Sequence, residues 1–375
     1  MTDYIKLHMD AFVADLHCDS IHQIKRGYDF FKENNNYHID IPRIKKGGVN
    51  LQIFALFLDP LIPEVEWFSH TDNLLKILKQ TFSHSEEIKL CKSFAEITET
   101  LSSNKIVALT AIENGSAIAN SLDNLEYFAR EGVIYMTLTH AKSHAWCSSS
   151  SDNHATEYGL TNFGIDVIKK MNELKMIIDV SHISVRAFND VIKHSKSPII
   201  ASHSNAHALC GHDRNLSDEQ LKKIADIGGV VGMNFCPPFL SDELNRAAGE
   251  FIKDKLDIYK ESMLAFSTAP DEDSYQMSKK KFEPFYNEYK KYVDGIKVSV
   301  QDVCNHIDYI VNLIGADHVA LGSDFDGITE TPIGLEDISQ MPLITEELVK
   351  RNYDEEDIRK ILGKNFLRVF KDVTE

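Results

Sequence analysis

The chain has 375 residues, 43% of them hydrophobic and 26% charged, a composition that excludes disordered and fibrous classes. Its 57 acidic and 40 basic side chains leave a formal charge of −17, which repels phosphate backbones and argues against nucleic acid as a partner. No stretch approaches the roughly 18 apolar residues that would cross a bilayer, and the first ten residues show no basic flank, apolar core or small-residue cleavage site. The expectation is a soluble, cytoplasmic protein without a membrane partner. Its six cysteines, scattered without C-x-x-C spacing, should be free thiols.

In chain order, eight apolar, β-branched-rich runs stand out: Phe12–Leu16, Val49–Leu58, Lys105–Ile112, Val133–Thr139, Met176–Val180, Pro198–Ala201, Gly229–Phe235 and His318–Gly322. Near-continuous apolar runs suit strands buried on both faces of a parallel sheet. Between them, Asp123–Glu131, Gly164–Leu174 and Ser217–Ile227 space apolar residues at helical period, and Ser217 with Gln220 forms a capping-box signal. Eight such units predict an α/β fold, a (β/α)8 TIM barrel formed as a single domain over residues 1–375. An open doubly wound sheet is the alternative, but no strand leads into a G-x-G-x-x-G turn. From about 237 to 297 the chain turns highly charged with interspersed aromatics, which predicts a helical insertion after strand 7. That insertion suits a lid, a homodimer contact or a plain solvated excursion.

Polar residues gather where these strands end. His17 and Asp19 close the first run, at an i, i+2 spacing that on a strand puts both on one face and Cys18 on the other. Glu113 follows the third run, His140 the fourth, His182 the fifth, His203 the sixth and Asp324 the eighth. In a barrel all of these ends open on one face. A lone strand-end histidine is usually a hydrogen-bonded structural residue; three of them with three carboxylates are a site. His17, Asp19, Glu113, His182 and His203 exceed what one tetrahedral ion accepts and suit two ions, with Glu113 shared between them and a bridging hydroxide as nucleophile. Imidazole and carboxylate donors favour zinc, with manganese, iron and cobalt as alternatives. Asp15 shares a face with His17 and is expected to orient it. Asp326 lies on the same strand face as Asp324 and competes for its role. His144, His154, His207, His212, His306 and His318 read as surface residues or as supports around the site.

These motifs resemble the membrane (renal) dipeptidase family of binuclear zinc peptidases in the amidohydrolase superfamily. The resemblance rests on His17-x-Asp19, Thr137-Leu-Thr-His140, Asp179-Val-Ser-His182, Ser202-His203-Ser, Arg214-Asn215 and Gly322-Ser-Asp324-Phe-Asp-Gly327, and runs almost end to end. It implies two Zn2+ per chain, one on His17, Asp19 and Glu113 and one on Glu113, His182 and His203. It further implies that His140 contacts the scissile carbonyl, Arg214 the substrate's C-terminal carboxylate, and that Asp324 moves the proton. The substrate implied is a dipeptide, including those with a C-terminal D-residue. Ala141-Lys-Ser-His-Ala-Trp146 departs from the usual sequence, and the secreted members' export and anchor signals are not seen. The alternatives are the same barrel acting on an N-acyl amide, lactone or phosphoester, and a non-catalytic peptide-binding barrel.

Overall fold

The structure, a computed structural model, describes residues 3–375. Nine strands pair in parallel: β1 (Ala14–Cys18), β2 (Leu51–Phe57), β3 (Ile88–Leu90), β4 (Ile106–Glu113), β5 (Val133–Thr137), β6 (Ile177–Asp179), β7 (Ile200–Ala201), β8 (Val230–Met233) and β9 (Val319–Leu321). The β2–β4 and β1–β9 pairings close eight of them into a barrel, as the eight apolar runs predicted. The ninth, β3, pairs with the first residues of β4 before β5 takes over that edge. Its three residues are too few for the periodicity to have shown it.

Alternation along the strands builds two cores. Leu51 and Ile53, then Val107, Leu109 and Ala111, turn inward, where Phe366, Val369 and Phe370 of the last helix join them. Leu56, Ala108 and Ile112 turn outward against Leu74, Leu75 and Phe128 of the surrounding helices. Burying each large aliphatic side chain contributes about 1.5–3 kcal/mol. The helices start at capping residues: Ser121 caps Leu122–Arg130, Thr161 caps Asn162–Glu173, and Ser217 and Gln220 form the expected capping box of Asp218–Asp226.

Two features position the site. The inward face of β4 runs Val107, Leu109, Ala111, Glu113, so period-2 geometry carries a carboxylate to the barrel mouth. Register then aligns Phe57, Glu113, Thr137 and Asp179 across β2, β4, β5 and β6. On the other side, β1 carries an irregularity between Asp15 and Cys18, where three steps on β1 match two on β2. Such a bulge re-aims side chains near a site. The strand ends at Cys18, and Asp19 stands at the N-cap of the helix Ser20–Lys25 rather than on the strand as expected.

After the seventh barrel strand, residues 237–292 form the helices Pro237–Leu240, Asp242–Asp254, Leu256–Ser267 and Glu272–Tyr292. The last is pinned to the segment after β1. The Tyr37 hydroxyl donates to Glu272, and the Arg26 guanidinium lies 4.1 Å from the Tyr275 ring centre.

Candidate metal centre

The five donors named from the sequence meet at the C-terminal mouth of the barrel. Glu113 is central and its two oxygens face different partners. Oε2 lies 3.4 Å from His17 Nε2, while Oε1 lies 2.9 Å from His182 Nε2 and 3.5 Å from His203 Nε2. Asp19 Oδ2 is 3.6 Å from His17 Nε2. The β1 and β9 ends are knitted by Asp324 N donating to His17 O (3.2 Å) and Asp19 N donating to Phe325 O (3.0 Å), which sets Asp19 and Asp324 side by side. Three overlapping sets of ligand atoms lie close enough for one ion each: His17, Glu113 and His203; Glu113, His140 and His182; His17, Asp19 and Asp324.

The residues fit a cation on a direct observation. His17 Nε2 and Asp19 Oδ1 are buried and have no hydrogen-bond partner among the described residues, a costly state for polar atoms unless something binds them. The His182 and His203 Nε2 atoms point at each other across 2.9 Å. Burial, with Arg214 helping for His182 and His17 for His203, holds both imidazoles well below the usual histidine pKa. Neutral imidazole is the form that ligates a metal. Burial also pushes the Asp19 carboxyl up to about 7 and the Asp324 carboxyl to about 6.

Three more residues complete the mouth. His140 Nε2 lies 3.8 Å from Glu113 Oε1, its ring packs on Phe57 and His182, and its Nδ1 is buried without a partner among the described residues. Asp324 Oδ2 accepts from Asn234 Nδ2 at 2.9 Å. Asp326, its competitor in the sequence, faces elsewhere: its carboxylate accepts from Ser20 Oγ and from the His38 backbone N–H. Arg214 is only 6% exposed. Its guanidinium reaches the His203 carbonyl (3.1 Å), and no carboxylate among the described residues lies within ion-pair distance of it. It opens with His182 on a cavity of about 570 Å³, in the size range of small-molecule sites.

His182, Asp324 and Asp326 adopt left-handed backbone with φ of 70°, 63° and 67°. Non-glycine residues are rarely held there, and such strain gathers at functional sites.

Some expectations are corrected. Asp15 does not orient His17; it accepts from the Ser323 N–H and hydroxyl and from Gln52, tying β1 to β9 and β2. The ring of His17 instead meets the Tyr135 hydroxyl. His306 is no surface residue: it is buried and links the Ala206 N–H to the Leu240 carbonyl. Asn234 and Tyr135 were missed. Their signal was a polar group inside an apolar strand, which must find a partner there.

A parallel barrel that gathers imidazoles and carboxylates at its mouth is the arrangement a metal-dependent hydrolase uses. The chain belongs to the membrane dipeptidase family, peptidase family M19, whose model matches residues 1–375. It is 37% identical over 305 residues to an uncharacterized protein in the pqqA 5′ region of Klebsiella pneumoniae, spanning 80% of this chain and 94% of that one. It is 27% identical over 380 residues to the dipeptidase tcpJ of Claviceps purpurea, spanning 96% and 77%. Among solved structures it resembles the probable dipeptidase PvdM from Pseudomonas aeruginosa, with a TM-score of 0.80, 22% identity and coverage of 99% and 97%. It also resembles a metallo peptidase from Rhodobacter sphaeroides liganded with a phosphinate mimic of the dipeptide L-Ala-D-Ala, with a TM-score of 0.78, 23% identity and coverage of 97% and 100%. These two likenesses bear on the fold. Family membership makes the protein a metal-dependent peptidase that hydrolyses dipeptides. Among the described residues, no helix is long and apolar enough to cross a membrane.

Proposed function

We propose that the protein is a zinc dipeptidase in which His17, Asp19 and Glu113 hold one Zn2+ and Glu113, His182 and His203 hold a second. The split orientation of Glu113, Oε2 toward His17 and Oε1 toward His182 and His203, supports the shared ligand. When bound, the two cations acidify a water to near neutral pH and polarise a carbonyl.

The chain's own residues do the rest. Arg214 clamps the substrate's C-terminal carboxylate, two oxygens against a planar guanidinium. That clamp limits the substrate to dipeptides, because a longer chain has no free carboxylate at that distance from the scissile bond. His140, kept below the usual histidine pKa chiefly by burial, is neutral and directs an N–H to the carbonyl oxygen as charge develops there. Asp324, raised to about 6 mainly by burial and steadied by Asn234, takes the proton of the attacking water and returns it to the leaving amine.

The observation that carries this reading is Arg214, a buried cation beside the metal-ligand cluster with no ion-pair partner among the described residues. The test compares a dipeptide with its C-terminal amide, which has the same scissile bond. The dipeptide, including one ending in a D-residue, is cleaved and the amide is not. Equal cleavage of both contradicts the proposal.

A further inference from the structure

We infer that Tyr135 and the Ser202–Asp179 pair are positioning residues that set the tautomers of His17 and His203, so that each ring turns an Nε2 lone pair into the site. The inference rests on the metal-site reading above and names the residues that prepare it.

Tyr135 lies on β5, fully buried inside the barrel. Its oxygen is 2.8 Å from the Leu16 carbonyl and 3.1 Å from His17 Nδ1. A carbonyl only accepts, so the single phenolic proton goes to Leu16, and the phenol oxygen accepts from His17. His17 Nδ1 therefore carries the hydrogen. In the neutral ring the remaining lone pair is on Nε2, the atom that faces Glu113 and Asp19.

The same logic runs on the other side of the barrel. Ser202 Oγ is 2.6 Å from Asp179 Oδ2 and 2.7 Å from His203 Nδ1. Asp179 also accepts from the N–H groups of Ser181 and Ser202 and from the Thr137 hydroxyl. Surrounded by donors, it takes the Ser202 proton, and Ser202 accepts from His203 Nδ1–H. Again Nε2 is left to the site. His182 has no such support: its Nδ1 is buried without a partner among the described residues. Hydrogen bonds of this kind to a ligand's far nitrogen typically change metal affinity by about 10–100-fold.

The experiment has two readouts on the wild-type protein, Tyr135→Phe and Ser202→Ala. The first is Zn2+ binding by competition with a chromophoric chelator. Wild type binds two ions; Tyr135→Phe weakens only the His17 site, by roughly 10–100-fold, and Ser202→Ala weakens only the His203 site. The second is nitrogen NMR of labelled histidines in metal-free protein, with His17→Asn and His203→Asn assigning the signals. Recorded at a pH where both rings are neutral, which for His17 lies well above the ordinary 6.5, His17 and His203 give the Nδ1–H pattern, lost for His17 alone in Tyr135→Phe.

Unchanged affinities, or equal weakening of both sites by each variant, overturn the inference. An Nε2–H pattern at either ring in wild type does so as well, even where a variant fails to fold. Wild-type protein that binds no Zn2+ sinks the metal reading instead, while the NMR pattern still decides the tautomers.

Discussion

Gly327 stands against Asp19 so closely that a Cβ on it would lie 2.2 Å from the Asp19 Oδ2 atom, and 2.6 Å from Asp324 Oδ1. The backbone after β9 closes over both carboxylates only because that position has no side chain. Gly327→Ala must push one or both aside. Displacing a reacting group by about 1 Å can cost on the order of 100-fold in rate. The expected outcome is a loss of that order in kcat/KM, with one of two metal ions weakened and the melting temperature of metal-free protein little changed. Unaltered kinetics and metal content would count against the placement of Asp19.

Arg214 yields a second expectation. Removing one partner of a buried charge pair costs about 2–5 kcal/mol, or roughly 30- to 5000-fold in affinity. Arg214→Ala should lower kcat/KM for dipeptides within that range while the protein keeps its metal. Arg214→Lys should recover only part, because a point charge does not replace the planar fork. Steady-state kinetics on both variants checks this.

Asp324 and Asp326 should separate cleanly. Asp324→Asn removes the proton carrier and should reduce kcat by about 100- to 10,000-fold with metal retained. Asp326→Asn disturbs the contacts with Ser20 and His38 that tie β9 to the segment after β1. Its effect should fall on melting temperature more than on kcat. Turnover and thermal unfolding of both variants distinguish the roles.

Acid should destabilise the fold in a defined window. Burial lowers the pKa of His144 and of His306 to about 4 from an ordinary 6.5. The unfolded chain takes up protons at higher pH than the folded one. The stability from these neutral rings is therefore complete above about 6.5 and is lost as pH falls toward 4, at no more than about 1.4 kcal/mol per pH unit for each ring. His306 has a visible cause: protonating its Nδ1 would break the bond it accepts from the Ala206 N–H. Urea unfolding midpoints should fall between pH 6.5 and 4, and less steeply in His306→Gln.

The barrel and the gathering of these donors at its mouth were legible because both are written in strand periodicity. An apolar run with inward residues at every second position carries Glu113 to the mouth, and a polar residue just past such a run has one place to go. What sequence could not show depends on contacts between distant strands. The bulge in β1 that aims His17 inward is a mismatch with β2, not a property of β1. Tyr135 reads as one more aromatic in an apolar strand until the Leu16 carbonyl and His17 are seen beside it. Asp15 misled for the same reason: its true partner, Ser323, lies 308 residues away.

The central claim is two cations sharing Glu113, and anomalous diffraction at the zinc edge from crystals of the Zn2+-loaded protein tests it most directly. Two peaks about 3.5–4 Å apart, one beside His17 and Asp19, the other beside His182 and His203, with Glu113 touching both, is the predicted result. A single peak, or zinc bound away from Glu113 in protein that still hydrolyses dipeptides, would contradict it.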